Sequence, residues 1–253
     1  MPVTDRPYRC VARTAVGLFR TLDLRIDVVG QEHVPAAGGA VVVMNHTGYL
    51  DFALAALPFW RESGRFVRFM AKQEVFSHRI VGPLMRAMHH ISVDRAAGAA
   101  SFRAAVEALR AGELVGVFPE AGISRSFCLK EFKSGASRMA RAAGVPLIPV
   151  TLWGSQRVWT KGRKPNIRAA RHVPISITIG APQQPSRGPA TDTALLDVMS
   201  ALLDKTRARY PDMPGDDPWW VPAHLGGTAP TPQRAAELDA ADQLERGQRR
   251  TQP

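Results

Sequence analysis

The stretch Val41-Val-Val-Met44-Asn45-His46-Thr-Gly48-Tyr-Leu-Asp51 decides how this chain is read. The continuous, largely β-branched run from Ala40 to Met44 describes a strand buried on both faces, as in a parallel sheet covered by helices. Gly48 permits a tight turn just beyond it, and Asp51 falls in the first turn of the helix that follows. A strand end opening into a helix start is where α/β sheets present functional side chains.

Further apolar runs repeat the theme at Leu24 to Val29, Arg65 to Ala71, Ile91 to Val93, Leu114 to Phe118, Pro146 to Leu152 and Pro174 to Ile179. Helix-like stretches lie between them at 50–59, 75–88, 97–110, 134–143 and 190–209. Alternation of this kind predicts an α/β fold, a single domain with a mostly parallel or mixed central sheet flanked by helices. Short connections leave room for antiparallel members. The stretch 75–88 carries Phe76, Ile80, Val81, Leu84, Met85 and Met88, which predicts core packing or, alternatively, the lining of an acyl-chain site.

Residues 1–23 are expected to form an N-terminal amphipathic helix. Val11, Ala15, Leu18, Phe19 and Leu22 recur at helical spacing among Arg9, Arg13 and Arg20. Such a helix packs on the domain or lies on an anionic membrane surface. The main domain is expected over 24–210. From Tyr210 the chain turns rich in Pro, Gly, Asp and Trp, so 211–253 reads as a C-terminal extension with a polar helix from Pro232 to Arg246. Trp153, Trp159, Trp219 and Trp220 are candidates for a membrane interface. No run approaches the roughly 18 apolar residues that a transmembrane helix needs, and the first residues lack the order of a secretory signal.

The 253 residues carry a net charge of +11, unevenly spread. Between 125 and 171 eleven Lys or Arg stand against one acid, Glu131. Such a field attracts anions: nucleic acid, an anionic bilayer or phosphorylated small molecules. Nucleic acid is disfavoured, because aromatic residues are not interleaved with the charge as stacking platforms. Cys10 and Cys128 are too few and too far apart for a disulfide framework or a metal site.

The chemistry resides in His46 and Asp51. A carboxylate five residues after a histidine holds one ring nitrogen and leaves the other as a base near neutral pH. No serine or cysteine nucleophile accompanies the pair, so the hydroxyl to be deprotonated belongs to a substrate. No third ligand at suitable spacing points to a metal. His89 and His90, at a strand start, read as structural.

The order of blocks resembles the glycerophospholipid acyltransferase family, which includes the 1-acyl-sn-glycerol-3-phosphate acyltransferases, from about residue 24 to 180. Asn45-His46 with four residues to Asp51 resembles the first block. Phe69-Met-Ala-Lys72 and Ile91-Ser-Val-Asp-Arg95 resemble the second, Phe118-Pro119-Glu120 opens the third, and Val145-Pro146-Leu-Ile-Pro149-Val150 resembles the fourth. The third block departs from the usual Phe-Pro-Glu-Gly-Thr-Arg-Ser. Here Ala121-Gly122-Ile123-Ser124-Arg125-Ser126 follows Glu120, which sets the arginine two residues further on.

The resemblance implies a glycerol-3-phosphate acyltransferase-like fold and a peripheral enzyme on the cytoplasmic face of the cell membrane. It implies acyl-CoA as donor substrate, no cofactor, and lysophosphatidic acid or a related phosphorylated acceptor. Arg95 and Arg125 are the expected phosphate ligands, since guanidinium forks match phosphate oxygens. Lys72, Glu120 and Gly122 are placed in the same subsite, and Lys130 and Lys133 steer CoA or phosphate. Acylation of glycerol-3-phosphate or another lysophospholipid is the alternative within this chemistry. A peripheral lipid-binding protein without turnover is the alternative outside it.

Overall fold

A computed structural model describes residues 5–94, 98–185, 190–212 and 215–251. Seven strands form one sheet: β1 (Arg25–Val29), β2 (Ala40–Met44), β3 (Val67–Lys72), β4 (Ile91–Val93), β5 (Leu114–Val117), β6 (Leu147–Trp153) and β7 (Pro174–Ile179). Their order is β1-β7-β6-β2-β5-β3-β4. Every pairing is parallel except β6 with β7. The mixed, mostly parallel sheet expected from the alternating runs is what forms.

β2 lies between β5 and β6, and all five of its residues are buried. Alternate side chains go to opposite faces of the sheet. Val42 and Met44 join Ile148, Val150 and Leu152 against Leu54 and Phe59 of α2 (Asp51–Ser63) and Phe19 of α1 (Arg6–Thr21). Val41 and Val43 face the other way. They meet Val106 and Leu109 of α5 (Gly98–Arg110), Met139 of α6 (Gly135–Ala143) and Met199 of α8 (Ala190–Ala208). A strand with apolar partners on both faces has no side left for water, which is why its sequence is continuous rather than alternating.

The stretch 75–88 differs from the single helix expected. It forms two short pieces, α3 (Gln73–Ser77) and α4 (Val81–Ala87), in chain order before α5. The break falls at His78, whose backbone is extended and whose Nδ1 accepts from the amides of Ile80 and Val81 at 3.3 Å. Core packing describes only the end of this stretch, where Met88 joins Tyr8 and Phe66 and Met85 packs against them. Met88 is buried, but Ile80 is 79% exposed, and Val81 and Leu84 are exposed as well.

The N-terminal helix is present and docked. Phe19 and Leu22 are buried, and Tyr8 donates its hydroxyl to the Val67 carbonyl at 2.6 Å. Arg6, Arg9 and Arg13 remain exposed on the outer side. Packing also continues beyond residue 210. Tyr210, Trp220, Val221 and Ala229 close on Phe127, Trp153 and Leu203. Trp153 and Trp220 are therefore core residues, whereas Trp159 is 40% exposed. α7 (Ser155–Val158) follows β6, and the last helix, α9, spans Pro232–Thr251. Among the described residues no helix is long and apolar enough to cross a membrane.

His90 ties the edge of the sheet to its centre and titrates unusually. Its Nδ1 accepts from the Phe69 amide at 3.0 Å, a bond that only the neutral ring can make. Burial first, then the charges of Arg68 and His89, push its pKa down from 6.5 to about 4. A depressed histidine supports the fold above its unfolded pKa and withdraws that support as pH falls toward its folded one. Between pH 7 and pH 5 the loss is about 2 kcal/mol. Urea unfolding at the two pH values is expected to show this drop in the wild type and a smaller one in His90→Asn; equal drops would exclude His90 as the cause.

Candidate active site

The loops after β2, β5 and β6 leave the sheet at the same edge, because these three strands are parallel neighbours. Asn45 extends the β2–β6 ladder by one side chain. Its Nδ2 donates to the Leu152 carbonyl at 3.0 Å and its Oδ1 accepts from the Leu152 amide at 2.7 Å. The chain then turns, and both backbone groups of His46 are taken by the loop after β5. The His46 amide donates to Glu120 Oε1 at 2.8 Å, and the Ser124 amide donates to the His46 carbonyl at 2.7 Å.

The ring of His46 stacks on Phe118, centroids 4.0 Å apart, and its Nδ1 lies 2.9 Å from Asp51 Oδ2. That oxygen also accepts from the amides of Thr47 at 2.6 Å and Gly48 at 2.8 Å. Asp51 Oδ1 accepts from the Ser155 hydroxyl. Asp51 is completely buried, while the His46 side chain is 18% exposed. A carboxylate facing donors on both oxygens acts as acceptor toward the ring as well, so Nδ1 carries the proton. Nε2 is then the nitrogen with a lone pair to offer a substrate.

Gly48 is needed for this packing. A Cβ there would meet the Ser155 carbonyl group and the Trp159 carbonyl oxygen at 3.0 Å. The close approach lets Trp159 accept from the Tyr49 amide at 2.9 Å, and Thr160 Oγ1 donate to the Thr47 carbonyl at 2.6 Å. The loop after β6 thus closes the pair from the side opposite Glu120.

Glu120 has a different position from the one expected of a substrate ligand. It is buried, with one oxygen on the His46 amide and the other accepting from the Lys130 amide at 3.2 Å. Burial pushes its pKa up to about 8, against the two amide donors and the Lys130 charge, with Asp51 adding a further upward push. It organises backbone beneath the site.

Gly122 faces open space, with only Lys130 Nζ near an added Cβ, at 3.9 Å. The left-handed residues of this loop are instead Ala121 and Phe127. Arg125 does not point to open solvent. Its Nε donates to Asp239 Oδ1 at 3.1 Å and its Nη2 to Asp242 Oδ2 at 2.6 Å, both on α9. Lys130 lies 3.8 Å from Asp239. Lys72 ends β3 and Lys133 lies beyond Glu131; both are exposed. Arg95 falls outside the described residues.

Three residues close to the site were not singled out from sequence: Ser155, Asp239 and Asp242. Ser155 had one usable signal, the Gly154-Ser155 step ending a buried strand beside β2. The two aspartates sit in a polar helix of ordinary composition and gave none. Replacing Ser155 by Ala removes a charge-assisted bond to Asp51, for which about tenfold in kcat is expected at unchanged KM. Ser155→Thr should restore most of it. A loss shared equally by Ala and Thr variants, or confined to KM, would contradict this role.

Comparison with known proteins agrees with this geometry. Residues 25–153, about half of the chain, match the family model described as Acyltransferase. The 1-acyl-sn-glycerol-3-phosphate acyltransferase of Bacillus subtilis is 28% identical over 145 residues, which are 54% of this chain and 69% of that protein. The enzyme of that name from Limnanthes douglasii is 31% identical over 156 residues, 60% of this chain and 52% of the plant protein. This chain thus spans about half of the plant relative's length. In fold it is similar to the crystal structure of a 1-acyl-sn-glycerophosphate acyltransferase from Thermotoga maritima. The TM-score is 0.66 at 23% identity, covering 81% of each chain. With its His46–Asp51 pair set at the matched strand end, this chain belongs to the acyltransferase family.

Proposed function

We propose that the protein transfers a fatty acyl group from acyl-CoA to the free hydroxyl of 1-acyl-sn-glycerol-3-phosphate, giving phosphatidic acid. The observation that carries this reading is a histidine held by a buried carboxylate, beside a loop bearing Arg125 and Lys130. His46 Nε2 takes the hydroxyl proton as that oxygen attacks the thioester carbonyl. The carbon–sulfur bond breaks, and the imidazolium returns its proton to the departing thiolate. Asp51 stabilises the charged ring in between. No residue is acylated.

Approach to a lipid substrate is served by the surface. Arg6, Arg9 and Arg13 line the outer side of α1, and Leu18, Ile80, Val81 and Leu84 are exposed. Basic and apolar groups presented together suit peripheral attachment to an anionic membrane, at its cytoplasmic face where acyl-CoA is supplied. Names of relatives support the choice of acceptor.

The test is product formation from labelled acyl-CoA with a panel of acceptors: lysophosphatidic acid, glycerol-3-phosphate, lysophosphatidylcholine and monoacylglycerol. Preferential conversion of lysophosphatidic acid to phosphatidic acid is expected. Preference for glycerol-3-phosphate or another lysophospholipid would replace the acceptor and keep the chemistry; no ester product from any of them would remove the reading.

A further inference from the structure

Three cations converge beside the catalytic pair, and each is tethered to it through backbone. Arg125 follows Ser124, whose amide donates to the His46 carbonyl. Lys161 follows Thr160, whose hydroxyl donates to the Thr47 carbonyl. Lys130 gives its own amide to Glu120, which accepts from the His46 amide with its other oxygen. The guanidinium of Arg125 lies across Gly162, where a Cβ would come within 2.2 Å of Nη1 and the backbone is left-handed at φ +83°. Any other residue at 162 would displace the arginine. The charges are therefore placed by the fold rather than scattered over a surface.

Two carboxylates of α9 fill the space between them. Asp239 lies 3.1 Å from Arg125, 2.5 Å from Lys161 and 3.8 Å from Lys130. Asp242 lies 2.6 Å from Arg125 and 3.1 Å from Lys161. Burial alone would raise both acids, but hydrogen bonds from Lys161 and Arg125 hold them below the ordinary carboxylate range. Three positive groups face two negative ones, a balance that a phosphate dianion reproduces. Being three residues apart on a helix, the aspartates share one face and offer their oxygens together.

Among its described side chains, α9 buries little beyond these pairs. Ala235 is its only buried residue among those described, Leu238 is half-buried, and Leu244 is 69% exposed. Attachment by partly exposed ion pairs is weak and screened by salt, whereas arginine grips phosphate through paired, charge-assisted bonds.

Resting on the reading of a phosphorylated substrate, we propose that Lys161 joins Arg125 and Lys130 in a phosphate-ester subsite, which Asp239 and Asp242 occupy as an internal competitor. A phosphate ester enters by exchanging with the two carboxylates, and α9 leaves the cations as it does so. The pair of acids thereby sets the concentration at which the substrate phosphate is bound.

Two measurements on the full chain test this. Asp239→Asn with Asp242→Asn should lower the KM for the phosphorylated substrate about tenfold, the change appearing in KM rather than kcat, as loss of a few partly exposed pairs allows. Lys161→Gln should raise the same KM. A shift in the lysophosphatidic acid KM assigns the subsite to the acceptor, and a shift in the acyl-CoA KM assigns it to the donor phosphates. Either supports the exchange. Independently of turnover, amide hydrogen exchange should show α9 losing protection when glycerol-3-phosphate is added to the wild type. Unaltered protection together with unaltered KM values in the aspartate variant would overturn the proposal. Failure of the wild type to acylate any phosphorylated acceptor, with α9 still released by glycerol-3-phosphate, would instead count against the acceptor assignment alone.

Discussion

His46→Ala is expected to lower the rate of acyl transfer by about 10²–10⁴-fold, the usual contribution of a positioned base, without unfolding the protein. The second half follows from how the residue is held. Its backbone amide and carbonyl bond to Glu120 and Ser124 whatever the side chain is, and the ring itself is partly exposed. Alanine removes the imidazole and its stack on Phe118 while the strand end stays in place. Circular dichroism and the thermal midpoint should therefore stay near wild type as activity disappears. Wild-type-like turnover by a folded His46→Ala protein would leave the mechanism without its base.

Asp51→Asn is expected to be nearly as damaging, for a different reason. The amide oxygen can take the place of Oδ2 and still accept from His46 Nδ1 and from the Thr47 and Gly48 amides. Its nitrogen can then donate to the Ser155 hydroxyl in place of accepting from it. Orientation of the ring survives, and what disappears is the negative charge beside the imidazolium that forms during transfer. Unit charges about 4 Å apart at an effective dielectric of about 20 attract by about 4 kcal/mol, or about 10³ in rate. The fall should appear in kcat, with the acceptor KM little changed. A variant that lost only affinity would show that Asp51 serves substrate binding instead.

Much of the fold was legible because burial on both faces leaves a plain mark in sequence. The run Ala40 to Met44 could hardly be anything but an inner strand, and the strand after it in space, β6, carries seven buried residues from the same cause. The pair His46 and Asp51 was legible because both partners lie within one turn of the same strand-to-helix junction. Residues 75–88 were misread in part, because periodicity alone does not say whether a helix faces protein or solvent, nor that the chain would break at His78. Glu120 was placed with the substrate because Phe118-Pro119-Glu120 opens the third block of the family resemblance. Its backbone partners, the amides of His46 and Lys130, appear only when β5 and β2 are brought side by side. The ion pairs of Arg125 with Asp239 and Asp242 join residues more than a hundred positions apart, and no local pattern announces them.

The most direct test follows free thiol release from acyl-CoA by the wild type, with and without lysophosphatidic acid, alongside the ester formed. Direct transfer by His46 predicts release only when acceptor is present, one thiol for each ester, and no acylated protein by mass spectrometry. Release that proceeds at the same rate without acceptor, or a protein-bound acyl group that forms before the lipid is added, would contradict it.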